Sequence, residues 1–346
     1  MDYEWDEVAT LLQDEESRIY LKARYSYHVE KSLASFYRII RELNNRYEVR
    51  DLECFLQGRS ISGWIVYGSD DIAEYNFLIL KDLGFSVQRL CVEEEPKEKL
   101  YDKDYISLSR CEYLLKNEKY ALLISSEGGY EPNQMDMFQN LPNNQILNVR
   151  NQLVGRYGWQ YFDLFTPQKN EIFLDGGSMD GATVKGFIKW CHGEYKEIYA
   201  FEPNPHMVSI CQKNLENYSE KKAYFFPCAL WKQEDVLRFH ATEDSKWDAR
   251  ISSDGSKTVL ATSIDLALPE VAFTFIKLDV EGCELEVLEG AEKCIRSFRP
   301  KLAVSVYHNS KDILHISKYL LSLIPDYRLY IRHYHTDHIE TILYAV

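Results

Sequence analysis

Apolar and polar positions follow two periods along the chain. Leu33, Phe36, Tyr37, Ile40 and Leu43 recur every three or four residues, the spacing of one helical face. Asp14-Glu15-Glu16 before Ile19, Tyr20 and Leu21 marks an acidic helix start, so residues 1–57 read as a helical segment. Beyond it, Trp64 to Tyr67 is an apolar run entering a turn at Gly68, Ile72–Leu83 has helical spacing, and Phe85–Val92 and Tyr120–Ser125 read as strands. That β-α-β order predicts a small Rossmann-like unit over 58–150. Its turn suits a phosphate poorly. Gly68 is followed by Ser69, Asp70 and Asp71, where a dinucleotide fingerprint places further glycines, and carboxylates at a helix start repel a pyrophosphate. A structural or oligomerising role is expected there.

From 151 to 346 strands and helices alternate more regularly. Strands are expected at Glu171–Leu174, Glu197–Phe201, Ala223–Phe226, Phe273–Leu278 and Leu302–Tyr307. Helices are expected at Gly181–Cys191, Pro205–Tyr218, Glu284–Phe298 and Ile313–Leu323. Val236–His240 is an excursion, and 244–257, rich in Ser, Asp and Gly, reads as a surface loop. Arg328–Tyr334 and Thr341–Val346 are separated by a short polar turn (Thr336-Asp337-His338). It is too short for a helical crossover, so these strands should be antiparallel neighbours. The pattern is that of an α/β domain with a mostly parallel sheet.

Charge narrows the partners. The 346 residues carry 40 Lys and Arg against 54 Asp and Glu, a net charge of −14, which disfavours nonspecific nucleic-acid binding. The first seven residues are acidic where a secretory signal would be basic, and no run reaches the ~18 apolar residues of a membrane helix. Eight scattered cysteines without a C-x-x-C pair read as reduced thiols. The expectation is a cytoplasmic protein with no nucleic-acid or membrane partner.

The candidate chemistry lies at strand ends. Asp175-Gly176-Gly177-Ser178-Met179-Asp180-Gly181 closes a strand with an acid and opens a helix through a glycine-rich turn, with helix-start N–H groups available. An acid at Asp175 suits an ammonium or sulfonium ligand and repels a pyrophosphate, which favours S-adenosylmethionine over a dinucleotide. Glu202, in Phe201-Glu202-Pro203-Asn204-Pro205, stands where a carboxylate can hold both ribose hydroxyls; the alternative is a helix-start acid beside Pro205. Cys228 and Ala229 line an adenine slot or are plain core. Asp279, Glu281 and Glu284 gather near the fourth strand's end. They position an acceptor hydroxyl or charge-match the next helix, with Mg²⁺ binding ranked third. His308 ends the fifth strand and has the ordinary pKa of a general base, against the structural role of most single histidines. His333, His335 and His338 invite a metal reading, but they sit in the last hairpin, where a structural role leads, and no metal is expected in this protein.

The ordered set Asp175–Gly181, Phe201–Pro205, Lys277–Glu284 with Leu288–Ala291, and Val306-Tyr307-His308 resembles the FkbM-type S-adenosylmethionine-dependent methyltransferases, over roughly 155–346. The resemblance extends to Arg332-His333-Tyr334 and Thr341–Tyr344, and the 64–149 region is similar to a Rossmann-like unit that some members carry. It implies a class I fold with a mostly parallel seven-stranded sheet and S-adenosylmethionine as methyl donor. It implies methylation of a hydroxyl on a small molecule, sugar or other secondary metabolite. Carried over by position, Asp175, Gly176, Gly177, Ser178 and Gly181 would surround the methionine moiety, and Glu202 with Asn204 the ribose. Asp279 would border both cofactor and acceptor, and Asp279 and His308 would be the catalytic pair. Ser178-Met179 departs mildly from the small residues common there. An NAD(P)-dependent oxidoreductase using the same loop and a noncatalytic scaffold are the alternatives. The Tyr- and Trp-rich N-terminal half is a candidate homodimer surface or a cover for the acceptor site.

Overall fold

The computed structural model describes residues 2–40, 43, 47–48, 50–67, 71–90, 105–106, 108–125, 145–149, 155–156, 160–216, 222–240, 250–251, 255–334 and 338–346. The chain divides into two units, one of residues 1–22, 158–334 and 339–346, the other of 23–157 and 335–338.

The first unit is built on a seven-stranded sheet. Its strands in chain order are β1 (Glu171–Gly176), β2 (Tyr195–Phe201), β3 (Lys222–Phe226), β4 (Phe275–Leu278), β5 (Lys301–Ser305), β6 (Leu329–His333) and β7 (Thr341–Ala345). Their spatial order is β3-β2-β1-β4-β5-β7-β6. β7 runs antiparallel to both its neighbours, and the remaining pairs are parallel. This is the expected mostly parallel sheet, with the antiparallel closing pair in place. β1, β4, β5 and β7 are buried along their whole length, as strands covered on both faces must be. The helix Ala182–Trp190 follows β1 and turns Val184, Phe187 and Trp190 inward at three-residue spacing. Phe187 stacks on Phe173 of β1 at 4.2 Å. Each such aromatic contributes about 1.5–3 kcal/mol through burial.

β6 lies at the sheet edge, where unpaired backbone groups would invite association. The N-terminal segment covers it. Leu12 bridges Leu329, the Gln13 amide donates to the Leu329 carbonyl, and the Ile331 amide donates to Ser17 Oγ at 2.9 Å. Arg332 then pairs with Asp14 at 2.6 Å and Glu16 at 3.2 Å. The helix Tyr3–Leu11 is pinned by Glu4 to Lys311 (3.0 Å) and Glu7 to Lys318 (2.7 Å), both lysines belonging to the helix region 311–323.

Two expectations for this unit are corrected. The helix expected over Glu284–Phe298 is two helices, Glu284–Glu289 and Glu292–Phe298. Asp265, distant in sequence, causes the break: its amide takes the Gly290 carbonyl, and its carboxylate accepts from the Lys293 and Cys294 amides, capping a new helix start. The loop expected over 244–257 contains a short strand, Arg250–Ile251, paired antiparallel with Phe239 and His240. It belongs to a separate four-stranded sheet with Ala229–Leu230, Asp235–His240 and Lys257–Thr262. A two-residue strand is too short for hydrophobic patterning to reveal. Residues 244–249 and 252–254 lie outside the described residues.

The second unit carries a five-stranded, wholly parallel sheet ordered Tyr105–Ile106, Ser86–Leu90, Gly63–Tyr67, Tyr120–Ser125, Ile146–Val149. This is the doubly wound order, with two more strands than the sequence pattern reveals. Ile65, Leu122 and Ile124 pack with Cys111, Leu114 and Leu115 of the helix Leu108–Asn117. Residues 1–57, expected to be helical, hold the helices Tyr3–Leu11, Glu15–Glu30, Leu33–Ile40 and Arg50–Leu56, and also a two-residue strand, Tyr47–Glu48, paired with Gly155–Arg156. The turn at Gly68, Ser69 and Asp70 lies outside the described residues. Among the described residues no helix is long and apolar enough to cross a membrane.

Candidate functional site

Because β1, β2, β4 and β5 are parallel, their carboxyl ends open on one side of the sheet, where ligands bind in open α/β folds. Asp175, Glu202, Asp279 and His308, each singled out in the sequence, all stand at or just beyond these ends. The chain crosses itself tightly here. Gly177 has φ +77°, and a Cβ on it would lie 1.9 Å from the Asp279 carbonyl oxygen, so glycine is required. Tyr161, Met179 and Glu281 also take positive φ, at about 1–3 kcal/mol each for non-glycine residues.

The turn after β1 satisfies its own amides, contrary to the free N–H groups expected. Those of Gly177 and Ser178 both donate to the Phe201 carbonyl at 3.0 Å, and that of Gly181 to Ser178. The Met179 amide donates to Glu202 Oε2 at 3.1 Å, and the Ala182 amide to Asp180 Oδ1. Tethering β1 to β2 in this way rigidifies the crevice floor. Glu202 is buried, its Oε1 also accepts from the Asn204 amide at 2.9 Å, and burial pushes its carboxyl up despite these two amides. Asn204 turns its side chain to the His206 amide and caps the helix Pro205–Leu215. Ala229 is buried and pairs with Ala261 in the four-stranded sheet; the next residue, Leu230, packs against Gly176. Cys228 is half-buried, and burial pushes its thiol up.

Lys277 was missed as a site residue in the sequence. It pairs in register with Asp175 across β1 and β4, and its Nζ stands 3.0 Å from Asp175 Oδ1 and 2.9 Å from the Gly177 carbonyl. Both side chains are wholly buried. Burial pushes the Asp175 carboxyl up; against its own burial, Lys277 is held charged by Asp175 and Asp279. Lys277 thus occupies Asp175 Oδ1, while Oδ2 has no hydrogen-bond partner. A lysine inside an otherwise apolar strand, two residues before Asp279 and so on the same face, was the available signal.

Asp279 is the hub of the acceptor side. Tyr161 donates to its Oδ2 at 2.8 Å and Tyr307 to its Oδ1 at 3.2 Å. Burial would raise its carboxyl, but Lys277 and His308 hold it below the usual range. His308 Nε2 lies 3.6 Å from Asp279 and 3.4 Å from Glu281; its Nδ1 lies 3.0 Å from Glu284 Oε1. Burial works against its charge, yet Glu281 and Glu284 lift its pKa to about 10. The neighbouring carboxylates thus favour the protonated ring. Glu284 is buried and takes the Val280 amide at 2.9 Å. Tyr161 and Tyr307 were not singled out in the sequence either; a tyrosine ahead of the first strand carries no local mark of its partner 118 residues away. His333 is buried against Thr341 Oγ1 (2.9 Å) in the first unit; His338 and Tyr27 stack within the second unit; His335 lies outside the described residues.

With that geometry in place, residues 175–334 match the family model described as the methyltransferase FkbM domain. This stretch is an FkbM methyltransferase domain. Methyltransferase FkbM from Methylobacillus flagellatus KT shares the architecture at 18% identity, with a TM-score of 0.50, covering 96% of this chain and 99% of that one. Aeropyrum pernix fibrillarin, solved with natively bound S-adenosyl-L-methionine, matches at 11% identity and a TM-score of 0.35, covering 53% of this chain and 69% of its own. An S-adenosylhomocysteine-bound methyltransferase of Podospora anserina matches at 10% and 0.32, covering 51% and 70%. No curated protein matches the chain in sequence. The FkbM domain thus contains every strand-end residue named above, with Tyr161 contributed from just ahead of it.

Proposed function

We propose that this protein transfers a methyl group from S-adenosylmethionine to a hydroxyl of a small molecule or glycan. What supports the reading is a pair of buried acids, Asp175 and Glu202, at successive strand tips inside an FkbM methyltransferase domain. The residues fit the donor. Asp175 keeps one oxygen, Oδ2, without a hydrogen bond, acceptor capacity for an ammonium, while Lys277 holds the other and limits its net charge. Glu202 spends one lone pair per oxygen on the backbone and retains others for ribose hydroxyls. Gly176, Gly177, Ser178 and Gly181 provide the close backbone approach, Asn204 fixes the loop after β2, and Cys228 and Ala229 border the adenine side.

When bound, the donor would supply an electrophilic sulfonium methyl for transfer to the acceptor oxygen, with a neutral thioether as the leaving group. The chain's part is orientation and proton handling. Asp279, fixed by two tyrosine hydroxyls, accepts the acceptor's hydroxyl proton as the oxygen attacks. His308, protonated between carboxylates, acts as a positioning residue that holds Asp279 and Glu281. Positioning supplies up to ~7–11 kcal/mol of such a barrier.

Thermal-shift and calorimetric titration with S-adenosylmethionine, S-adenosylhomocysteine, NAD and NADP tests the cofactor, and Asp175→Ala and Glu202→Ala should each weaken the first two. Stabilisation by a dinucleotide alone would replace the reading with an oxidoreductase; no response to any of the four would leave a scaffold. Transfer of a labelled methyl from the donor into a panel of sugars, polyols and phenols tests the acceptor class, and labelling confined to amines would overturn the hydroxyl assignment. Once an acceptor is found, His308→Ala should lower kcat with little change in donor affinity.

A further inference from the structure

The cluster around His308 holds more negative charge than one ring balances. Asp279, Glu281 and Glu284 bring three carboxylates against a single imidazole, and the first and last of these are themselves largely buried. One ligand atom each from Asp279, Glu284 and His308 can be chosen so that all lie within 4.8 Å of one another. That is close to the span of ligands around one small cation, where oxygen–metal distances are about 2.0–2.6 Å. A separate observation points into the same place. Glu284 is 1% exposed, its head group meets His308 through Oε1, and Oε2 on that head group has no hydrogen-bond partner. An unpartnered carboxylate oxygen at full burial costs several kcal/mol. A helix-capping role uses Oε1 alone, through the Val280 amide, and leaves Oε2 unexplained.

We propose that Asp279, Glu284 and His308 form a divalent-cation site of the Mn²⁺ or Mg²⁺ type. Two carboxylates and one imidazole are a mixed oxygen–nitrogen set that suits Mn²⁺ and is poor for soft, thiolate-loving metals. On binding, the cation takes the place of the ring's second proton, which passes to solvent. Glu281, nearly half exposed and 3.4 Å from the ring, lies at the rim, where a further ligand can come from solvent or from an acceptor oxygen. The site adjoins the crevice of the proposed methyl transfer, and it stands or falls independently of that reading because binding of the metal alone is measured.

Chelator-treated protein is titrated with MnCl₂ and free Mn²⁺ is followed by electron paramagnetic resonance, with MgCl₂ as competitor. One Mn²⁺ per chain is expected. Loss of an outer-shell partner typically costs ~10–100-fold in metal affinity, so Asp279→Asn, Glu284→Gln and His308→Ala should each weaken binding at least ~10-fold. Glu289→Gln, on an exposed residue of the same helix, should leave it unchanged. If Glu284→Gln fails to fold, His308→Ala decides, since its side chain is partly exposed. Absence of Mn²⁺ binding by the wild type, or equal binding by the three variants, overturns the site. S-adenosylhomocysteine binding, measured in parallel, separates the outcomes: retained with no metal bound, only the metal site fails; lost while Mn²⁺ binds, only the methyl-transfer reading fails.

Discussion

The five-stranded sheet of 63–149 and the seven-stranded sheet of 171–345 are built around the same motif. Each places its first strand centrally, steps outward to the second and third on one side, and crosses to the fourth and fifth on the other. They part at the chemistry. None of the strand residues of the five-stranded sheet is Asp or Glu. In the other sheet Glu171 and Asp175 lie inside β1, and Glu202 and Asp279 follow immediately on β2 and β4. A buried carboxylate carries a desolvation cost of several kcal/mol that a partner must offset. Glu171 has such a partner in Lys301, at the amino end of the sheet, and Asp175 has Lys277 at the carboxyl end. Shared topology supplies the crevice; the placement of buried charge decides whether it can hold a ligand.

The Lys277–Asp175 pair breaks or sharpens that contrast most. Lys277→Met should destabilise the first unit by about 3–5 kcal/mol, because it strands a buried carboxylate. The double variant Lys277→Met, Asp175→Asn should recover most of the loss, since removal of both charges is often nearly neutral. Urea unfolding followed by tryptophan fluorescence measures both. If the double variant is as unstable as the single, the pair is not what carries the stability.

Next in size is a glycine comparison. Gly177 and Gly84, one in each unit, have nearly the same φ, +77° and +86°. Around Gly84 nothing lies within 4 Å of an added Cβ, whereas at Gly177 the Asp279 carbonyl stands at 1.9 Å. Gly84→Ala should therefore cost about 1 kcal/mol, for backbone strain alone. Gly177→Ala should cost about 1–3 kcal/mol more through overpacking, and weaken S-adenosylhomocysteine as the β1 and β4 tips are forced apart. Similar melting shifts for the two would mean that the crossing at Asp279 yields easily.

The sequence makes the crevice legible because its acids obey a local rule: each ends an apolar run just before a turn, as Asp175, Glu202 and Asp279 do, and His308 follows the same rule. What it hides is set by partners distant in the chain. The break at Gly290 depends on Asp265, the orientation of Asp279 on Tyr161, and the protonation of His308 on Glu281 and Glu284, which sequence reading places nearby without revealing the geometry that lifts the ring's pKa. Lys277 was visible yet unreadable, since a lysine within a strand also fits a solvated face. The N-terminal cover of β6 has no signature at all: Asp14 and Ser17 look like an ordinary acidic helix start until Arg332 and Ile331 are brought against them.

That cover gives the smallest effect and a pH dependence of definite sign. It distinguishes the seven-stranded sheet's edge, which the first residues close, from its ligand-facing end. Burial would raise the Asp14 carboxyl, but hydrogen bonds from Arg332 and Ser17 outweigh it and hold the carboxyl below its ordinary 3.8. A carboxylate that is more acidic in the folded state stabilises it at every pH above that ordinary value. The contribution fades as pH falls through the lower, folded value. With Asp14 about one-third exposed, the contribution is about 1 kcal/mol or less. Protection of the Ile331 amide, which donates to Ser17 Oγ, read as its exchange rate relative to the intrinsic rate at the same pH, should be high at pH 7 and should fall below pH 3.8 in the wild type. In Asp14→Asn the difference from wild type should be largest at neutral pH and vanish in acid, where both carry a neutral side chain. A difference that grows on acidification would mean that Asp14 is not the group that ties the N-terminal segment to β6.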